Sequence, residues 1–232
     1  MTQTMHTFEN GADLAVALSA AVAGKLAAAI ADKGMAALAV SGGSTPKAFF
    51  RALSSAPIDW EKVTITLVDE RFVPEDNPRS NHLLVKENLL IGPAASARFI
   101  PLYQKVETAE EAADIVTNKV SAASLPFDVA VLGMGTDGHT ASFFPGGDTL
   151  EKALDKATPA GVMAIHAEGA GEARLTFTFS SLENAGLLVL HIEGEAKKDV
   201  LNKALDGDDE AEMPIRAVLT RASSQVEIYW AP

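Results

Sequence analysis

Short apolar runs alternate along the chain with longer segments of helical periodicity. The runs have the length of buried strands, and the clearest are Ala36–Val40, Val63–Val68, Val129–Leu132, Leu187–Ile192 and Val226–Trp230. Three further segments are also predicted to be strands: Arg98–Leu102, Val162–His166 and Arg174–Phe179.

Helices are predicted between these strands. From Asn10 to Lys33, apolar residues recur every four positions, so we expect Asn10 to cap a long helix that Gly34 ends. The other predicted helices are Pro46–Leu53 with Thr45 as its N-cap, one from Ser80 or Asn81 to Leu90, Thr108–Ala123, Asp148–Leu154 and one that follows Gly194. This alternation predicts an α/β fold, with one domain over residues 1–232 and a single doubly wound, mainly parallel, Rossmann-like sheet flanked by helices.

A glycine-rich loop follows the strand Val129–Leu132. Its three glycines let the backbone approach a ligand closely, and Asp137 and His139 lie two positions apart within it. Ligands of open α/β sheets bind just outside the carboxyl ends of the strands. Asp137 and His139 are therefore the best catalytic candidates in the chain.

The same loop partly matches two nucleotide-binding motifs. Gly133, Gly135 and Gly138 fit the dinucleotide fingerprint, but they lie past the middle of the chain and no substantial helix follows them. The loop also nearly fits the P-loop pattern, with His139 in place of the lysine. A neutral imidazole cannot replace a permanent cation between phosphates, so nucleotide binding is disfavoured.

A second polar turn, Ser41–Pro46, follows the strand Ala36–Val40. It contains Gly42, Gly43, Ser44 and Thr45 directly before a predicted helix. Free backbone N–H groups, hydroxyls and the positive end of a helix dipole together make a cradle for an anion. The alternative is an ordinary tight turn with a helix cap, and the sequence leaves both open.

Positively charged residues are informative because the formal net charge is −12. This charge argues against nonspecific nucleic-acid binding, and it requires an anion site to collect its cations locally. Arg71 follows the strand Val63–Val68 and suits a phosphate, although it could instead pair at the surface with Glu70 or Glu75.

Other classes of chemistry lack a signature. The chain has no cysteine, no G-x-S-x-G serine elbow and no H-E-x-x-H zinc motif, so we expect neither a covalent nucleophile nor a metal or cofactor. The remaining histidines are expected to be packing or surface residues: His6, His82, His166 and His191. The first residues lack the order of a signal peptide, and Ser19 and Lys25 interrupt the apolar stretch Leu14–Ile30, so we expect a cytoplasmic protein without a membrane span.

Three blocks of sequence together resemble the 6-phosphogluconolactonase family. They are Ser41-Gly42-Gly43-Ser44-Thr45-Pro46, Asp69-Glu70-Arg71-Phe72-Val73-Pro74 with Ser80-Asn81, and Gly133-Met134-Gly135-Thr136-Asp137-Gly138-His139-Thr140-Ala141-Ser142. Two weaker blocks follow in the family's order, Arg174-Leu175-Thr176-Phe177-Thr178 and Gly194-Glu195-Ala196-Lys197. The end of the chain, Trp230-Ala231-Pro232, departs from the family, in which an acidic residue after the tryptophan is expected.

The resemblance implies a sugar-phosphate isomerase type of fold and hydrolysis of 6-phosphoglucono-δ-lactone to 6-phosphogluconate. His139 would act as general base and then general acid, and Asp137 or Asp69 would orient it. The residues implied in binding substrate and phosphate are Gly42, Gly43, Ser44, Thr45, Asp69, Arg71, Asn81, Arg174 and Lys197. The partner would be a small sugar-phosphate lactone, with no nucleic acid, no membrane and a monomer favoured.

Two other functions remain open on the same scaffold. Glucosamine-6-phosphate deaminases carry a similar loop that continues Gly-His-Ile-Ala-Phe-Asn-Glu-Pro, and that Glu belongs to their catalytic machinery. Here the stretch Gly138–Pro145 contains no carboxylate, and Arg71 stands where the deaminases usually have an aromatic residue. The other alternative is a noncatalytic sugar-phosphate sensor, against which the intact Asp137 and His139 argue.

Overall fold

The computed structural model describes residues 3–121 and 125–232. Its strands are β1 Gln3–Thr7, β2 Ala36–Val40, β3 Val63–Leu67, β4 Asp69–Arg71, β5 Arg98–Ile100, β6 Val129–Leu132, β7 Val162–Ile165, β8 Arg174–Phe177, β9 Leu188–Glu193 and β10 Val226–Ala231. Its helices are α1 Gly11–Lys33, α2 Lys47–Ser54, α3 Asn81–Asn88, α4 Ala109–Ser121, α5 Leu150–Leu154, α6 Phe179–Leu182, α7 Glu195–Leu205 and α8 Ile215–Arg221.

Seven strands form one sheet in the order β1-β10-β9-β6-β2-β3-β5, and every neighbouring pair is parallel. The chain runs outward from β2 through β3 to β5 on one side, and from β6 through β9 to β10 on the other. The order therefore reverses between β2 and β6, which is where open α/β sheets bind ligands. The prediction of a mainly parallel sheet flanked by helices is confirmed.

The expectation of a single sheet is wrong for the two strands predicted at Val162–His166 and Arg174–Phe179, and β4 was not predicted as a strand. β4, β8 and β7 form a separate antiparallel sheet, joined to the large sheet where Phe177 N–H donates to the Val68 carbonyl at 3.0 Å. Only residues 166–173 connect β7 to β8, and a parallel crossover needs about a dozen residues or more. The strand predicted over Arg174–Phe179 is shorter than expected. In the structure β8 ends at Phe177, because α6 begins at Phe179.

The long helix α1 follows its predicted boundaries. The Asn10 side chain accepts hydrogen bonds from the N–H groups of Ala12 and Asp13, and Gly34 ends the helix at φ 80°. By length and hydropathy α1 could cross a membrane, but its apolar face is buried. Leu14, Leu18, Val22 and Leu26 are fully buried in the core, so the helix fits a core element of a globular protein.

Other boundaries differ from the predictions. The helix α2 begins at Lys47 with Pro46 as its cap residue and no side-chain hydrogen bond, so the predicted Thr45 cap is wrong. Thr45 instead lines a cavity. The strand β1 and the helix α8 were not predicted, and the end of the predicted helix Thr108–Ala123 lies partly outside the described residues.

Candidate active site

The loop after β6 is folded tightly on itself. Gly135 N–H donates to the His139 carbonyl at 2.8 Å, Gly138 takes φ 81°, and the Thr140 hydroxyl donates to the Gly133 carbonyl at 2.7 Å. A Cβ atom on Gly135 would lie 2.1 Å from His139 Nδ1, so only glycine fits there. These contacts bring the side chains of residues 137 and 139 together.

Asp137 holds one nitrogen of the His139 ring. Its Oδ1 lies 2.6 Å from His139 Nδ1 and also accepts the His139 backbone N–H at 3.1 Å. The hydrogen bond with His139 is the main reason that the pKa of Asp137 falls from 3.8 to about 2. An ionised carboxylate favours the tautomer with a proton on Nδ1, which leaves Nε2 free to accept a proton.

His139 lines a cavity of about 360 Å³ at the switch point of the sheet. The cavity also contains every substrate-binding residue implied by the resemblance: Gly42, Gly43, Ser44, Thr45, Asp69, Arg71, Asn81, Arg174 and Lys197. Asp137 is not among the lining residues and contacts the cavity through His139. Residues from five separate segments of sequence are therefore brought to one place.

The turn Ser41–Pro46 forms one wall of the cavity. Gly43 has φ 91°, and a Cβ on Gly42 would lie 1.9 Å from Asn81 Oδ1, so both positions need glycine. Within the described residues, the backbone N–H groups of positions 42–45 make no hydrogen bond. Unused donors around a polar cavity are what an anion cradle requires and what an ordinary turn does not explain.

Arg71, on β4, lines the cavity beside this turn, because its partner Asn81 also lies against Gly42. Its Nη1 donates to Asn81 Oδ1 at 3.1 Å and to the Arg79 carbonyl at 2.5 Å. Its guanidinium makes no salt bridge with Glu70 or Glu75 in the described part of the chain, so the alternative surface pairing is wrong. Glu70 instead accepts the Arg71 backbone N–H at 2.8 Å.

Arg174 and Lys197 add two more cations to the cavity. Arg174 Nη2 donates to the Ala170 carbonyl at 2.7 Å, and Lys197 Nζ donates to the Met134 carbonyl at 2.6 Å. Burial lowers the pKa of both side chains, partly offset by the charge of Asp69 beside Arg174 and of Asp137 beside Lys197. A bound anion would replace the water that these cations lose.

Asp69 does not contact the imidazole. Its Oδ2 accepts a hydrogen bond from the buried Ser142 hydroxyl at 2.6 Å, and Asp69 is among the residues that line the cavity. Of the two carboxylates considered for orienting His139, Asp137 is thus the one in contact with it. Asp69 is free to accept a hydrogen bond from a ligand hydroxyl.

Two ring-bearing side chains of the cavity, those of Phe144 and His191, were missed by the sequence analysis. Phe144 stacks on His139, with ring centroids 4.2 Å apart and an interplanar angle of 29°. His191, which was expected to be a packing or surface residue, lines the cavity and lies 3.0 Å from Glu193 Oε1 through its Nε2. Its place at the end of β9, at the carboxyl edge of the sheet, was the available signal.

Comparison with known proteins gives a consistent result. The family model described as glucosamine-6-phosphate isomerases/6-phosphogluconolactonase matches residues 9–230. The 6-phosphogluconolactonase of Rhizobium meliloti is 65% identical over 232 residues, covering 100% of both chains, and that of Mesorhizobium japonicum is 50% identical over 227 residues, covering 98% of this chain and 94% of the other.

A solved structure agrees with the sequence relatives. The crystal structure of a 6-phosphogluconolactonase from Shewanella baltica superimposes with a TM-score of 0.95 at 40% identity, covering 100% of this chain and 98% of the other. A monomeric glucosamine-6-phosphate deaminase shares the fold with a TM-score of 0.79 at 17% identity. The chain belongs to the glucosamine-6-phosphate isomerase/6-phosphogluconolactonase family.

Proposed function

We propose that this protein hydrolyses 6-phosphoglucono-δ-lactone to 6-phosphogluconate. The observation that carries the proposal is one cavity that joins the Asp137–His139 pair to Arg71, Arg174 and Lys197. Acid–base chemistry and recognition of an anion are thus combined in a single site. A relative named 6-phosphogluconolactonase, 65% identical over the whole of both chains, supports the same reaction.

In this mechanism His139 serves both halves of the reaction. Nε2 takes a proton from water as the water oxygen bonds to the lactone carbonyl carbon, and the carbonyl oxygen becomes an oxyanion. The bond from that carbon to the ring oxygen then breaks, and the imidazolium returns its proton to the departing oxygen. Asp137 keeps the imidazole in the required tautomer and stabilises its positive charge.

The phosphate group would occupy the cationic part of the cavity. It carries between about 1.5 and 2 negative charges at neutral pH. The free N–H groups of the turn Ser41–Pro46 and the side chains of Arg71, Arg174 and Lys197 are its proposed partners. Binding energy from this remote group can position the reacting carbonyl against His139.

One contact favours lactone hydrolysis over deamination. In the deaminase pattern a glutamate precedes the proline of the loop, and here Phe144 precedes Pro145. Phe144 packs on His139, so the imidazole has an aromatic ring where the deaminase pattern has a carboxylate. Deamination by that route lacks one of its acid–base groups.

We also propose a cytoplasmic monomer that acts on a small molecule. This chain itself supplies the Asp137–His139 pair and the cations Arg71, Arg174 and Lys197, which supports a monomer. The net charge of −12 disfavours nucleic acid, and the buried face of α1 fits a core helix.

Hydrolysis of freshly generated lactone tests the function directly. Acid release in weak buffer is followed for the unchanged protein and for His139→Ala, with ammonia release from glucosamine 6-phosphate measured in parallel. We expect lactone turnover that falls about 100- to 10,000-fold in His139→Ala, because general acid–base catalysis is worth that much.

The matched control is His166→Ala, which removes an exposed histidine whose side chain pairs with Glu110. It should keep full activity. Binding of 6-phosphogluconate to His139→Ala, measured by thermal shift, should also persist. Ammonia release would assign the protein to the deaminases, and binding without either activity would make it a sensor.

A further inference from the structure

Phe144 contacts both functional parts of the cavity. Its ring stacks on the His139 imidazole at 4.2 Å, and the Arg174 guanidinium carbon lies 5.3 Å from the centre of the same ring. Only 5% of Phe144 is exposed, and this exposed part lines the cavity. One aromatic side chain therefore lies against the acid–base group and against a cation of the proposed phosphate site.

The backbone holds Phe144 in this place. After His139 the chain turns through Ala141, which takes φ 48°, a left-handed conformation that residues with a Cβ rarely adopt. Phe144 N–H donates to the Ser142 carbonyl at 3.0 Å, and the Ser142 hydroxyl is bound to Asp69. The turn thus brings the side chain of residue 144 back over that of residue 139.

The hydrogen bond that His139 Nδ1–H donates to Asp137 is not sufficient to orient the imidazole. It fixes the position of Nδ1, but a single contact leaves the plane of the ring free to tilt, and 30% of the His139 side chain is exposed. A stacked aromatic ring restrains that plane and so the direction of Nε2. The electron-rich face of the ring also favours a positive charge beside it, such as the imidazolium formed when water is deprotonated.

We infer that Phe144 is a positioning residue that fixes the plane of the His139 imidazole and stabilises its protonated form during turnover. This inference rests on the proposed function, because it concerns the step in which His139 accepts a proton. It assigns a role in the reaction to a residue that the hydrogen-bonding pattern alone does not identify.

Three substitutions at position 144 test this role in the full chain. Phe144→Leu and Phe144→Met both keep an apolar side chain and remove the ring face, whereas Phe144→Tyr keeps the ring. We expect Leu and Met to lower kcat about tenfold and to change KM by less than about twofold, because the ring acts on the charged transition state. Tyr should restore kcat to within about threefold of the unchanged protein.

The matched control is Phe143→Leu. Phe143 is fully buried next to Phe144 and, in the described part of the chain, makes no ring contact with His139. Its loss should lower the melting temperature as much as Phe144→Leu does and leave kcat unchanged. If Phe144→Leu does not fold, Phe144→Met carries the test, since the flexible methionine side chain fills irregular space.

The outcomes separate this inference from the proposed function. Equal losses of kcat in Phe143→Leu and Phe144→Leu, or an unchanged kcat in Phe144→Leu and Phe144→Met, would overturn the role of Phe144. A fall in kcat that Phe144→Tyr does not restore would also overturn it. If the unchanged protein does not hydrolyse the lactone at all, the proposed function itself fails.

Discussion

Glu70 and Asp137 are both carboxylates beside the cavity, but their surroundings differ. Glu70 is fully buried, and its two oxygens accept four hydrogen bonds, from the N–H groups of Arg71, Asn81 and His82 and from the Ser80 hydroxyl. Asp137 has 45% of its side chain exposed, and its only side-chain partner in the described residues is His139. The first joins β4 to the start of α3, and the second binds the ring nitrogen Nδ1 of His139.

The pKa values of these two carboxyls shift in opposite directions. Burial raises the pKa of Glu70 above its ordinary value, although the hydrogen bonds that it accepts oppose this shift. The hydrogen bond with His139 lowers the pKa of Asp137 to about 2. The pKa of each carboxyl therefore depends more on its exposure to water, and on a partner that can become charged, than on the number of hydrogen bonds that it accepts. Glu70 is suited to stabilise the wall of the cavity, and Asp137 to support a change of protonation.

Glu70→Gln should give the largest effect on stability. The amide nitrogen would replace one of the two accepting oxygens, so at least one backbone N–H would face a donor in a buried place. We expect the free energy of unfolding to fall by about 2–4 kcal/mol, measured by urea denaturation. The exposed control Glu75→Gln should change it by less than about 0.5 kcal/mol. Equal effects in the two variants would show that the Glu70 contacts contribute little.

Asp137→Asn should lower kcat strongly and change the free energy of unfolding little. An asparagine cannot supply the negative charge that holds Nδ1–H and stabilises the imidazolium, so we expect kcat to fall about 10- to 100-fold. The loss of unfolding free energy should stay below about 1 kcal/mol, because the pair is exposed. Steady-state kinetics and urea denaturation measure both, with the exposed Asp208→Asn as control. A normal kcat would remove Asp137 from the mechanism.

The smallest expected effect is on the free energy of unfolding at low pH. Because the folded protein lowers the pKa of Asp137 from 3.8 to about 2, the folded state favours the ionised carboxylate. The resulting stabilisation is present above about pH 4 and is lost as the pH falls towards 2. The difference in unfolding free energy between the unchanged protein and Asp137→Asn, about 0.2–1 kcal/mol at pH 5, should therefore shrink over this range. A constant difference would contradict it.

The parts of the fold that depend on local signals could be predicted. Asn10 and Gly34 mark the ends of α1 by capping chemistry that needs no tertiary contact, and the apolar run Val129–Leu132 is a buried strand as expected. The strand β1 could not be recognised, because it is a polar edge strand whose pairing depends on β10. The separate antiparallel sheet was missed because strand periodicity does not specify the partner of a strand.

The candidate site shows a similar division. Lys197, which follows β9, could be expected at the carboxyl edge of the large sheet. Arg71 and Arg174 also line the cavity, but they reach it from the small antiparallel sheet, where they face each other across β4 and β8. The stacking of Phe144 could not be expected, because it depends on the left-handed turn at Ala141, and alanine carries no signal for that conformation. The sequence alone also could not decide between Asp137 and Asp69 as the partner of the imidazole.

The pairing of β1 with β10 has a consequence for biosynthesis. Gln3 to Thr7 lie beside Val226 to Trp230, so among the described residues the neighbour of β1 in the sheet is a strand that is translated more than 200 residues later. Until β10 has been synthesised, β1 has no neighbouring strand to pair with. By that time β2 and β6, which precede the turn Ser41–Pro46 and the glycine-rich loop, have already been synthesised. Such nonlocal pairings form late, because a long stretch of chain must first be ordered. Synthesis of β10, and not of β1, therefore sets the time at which this edge of the sheet closes.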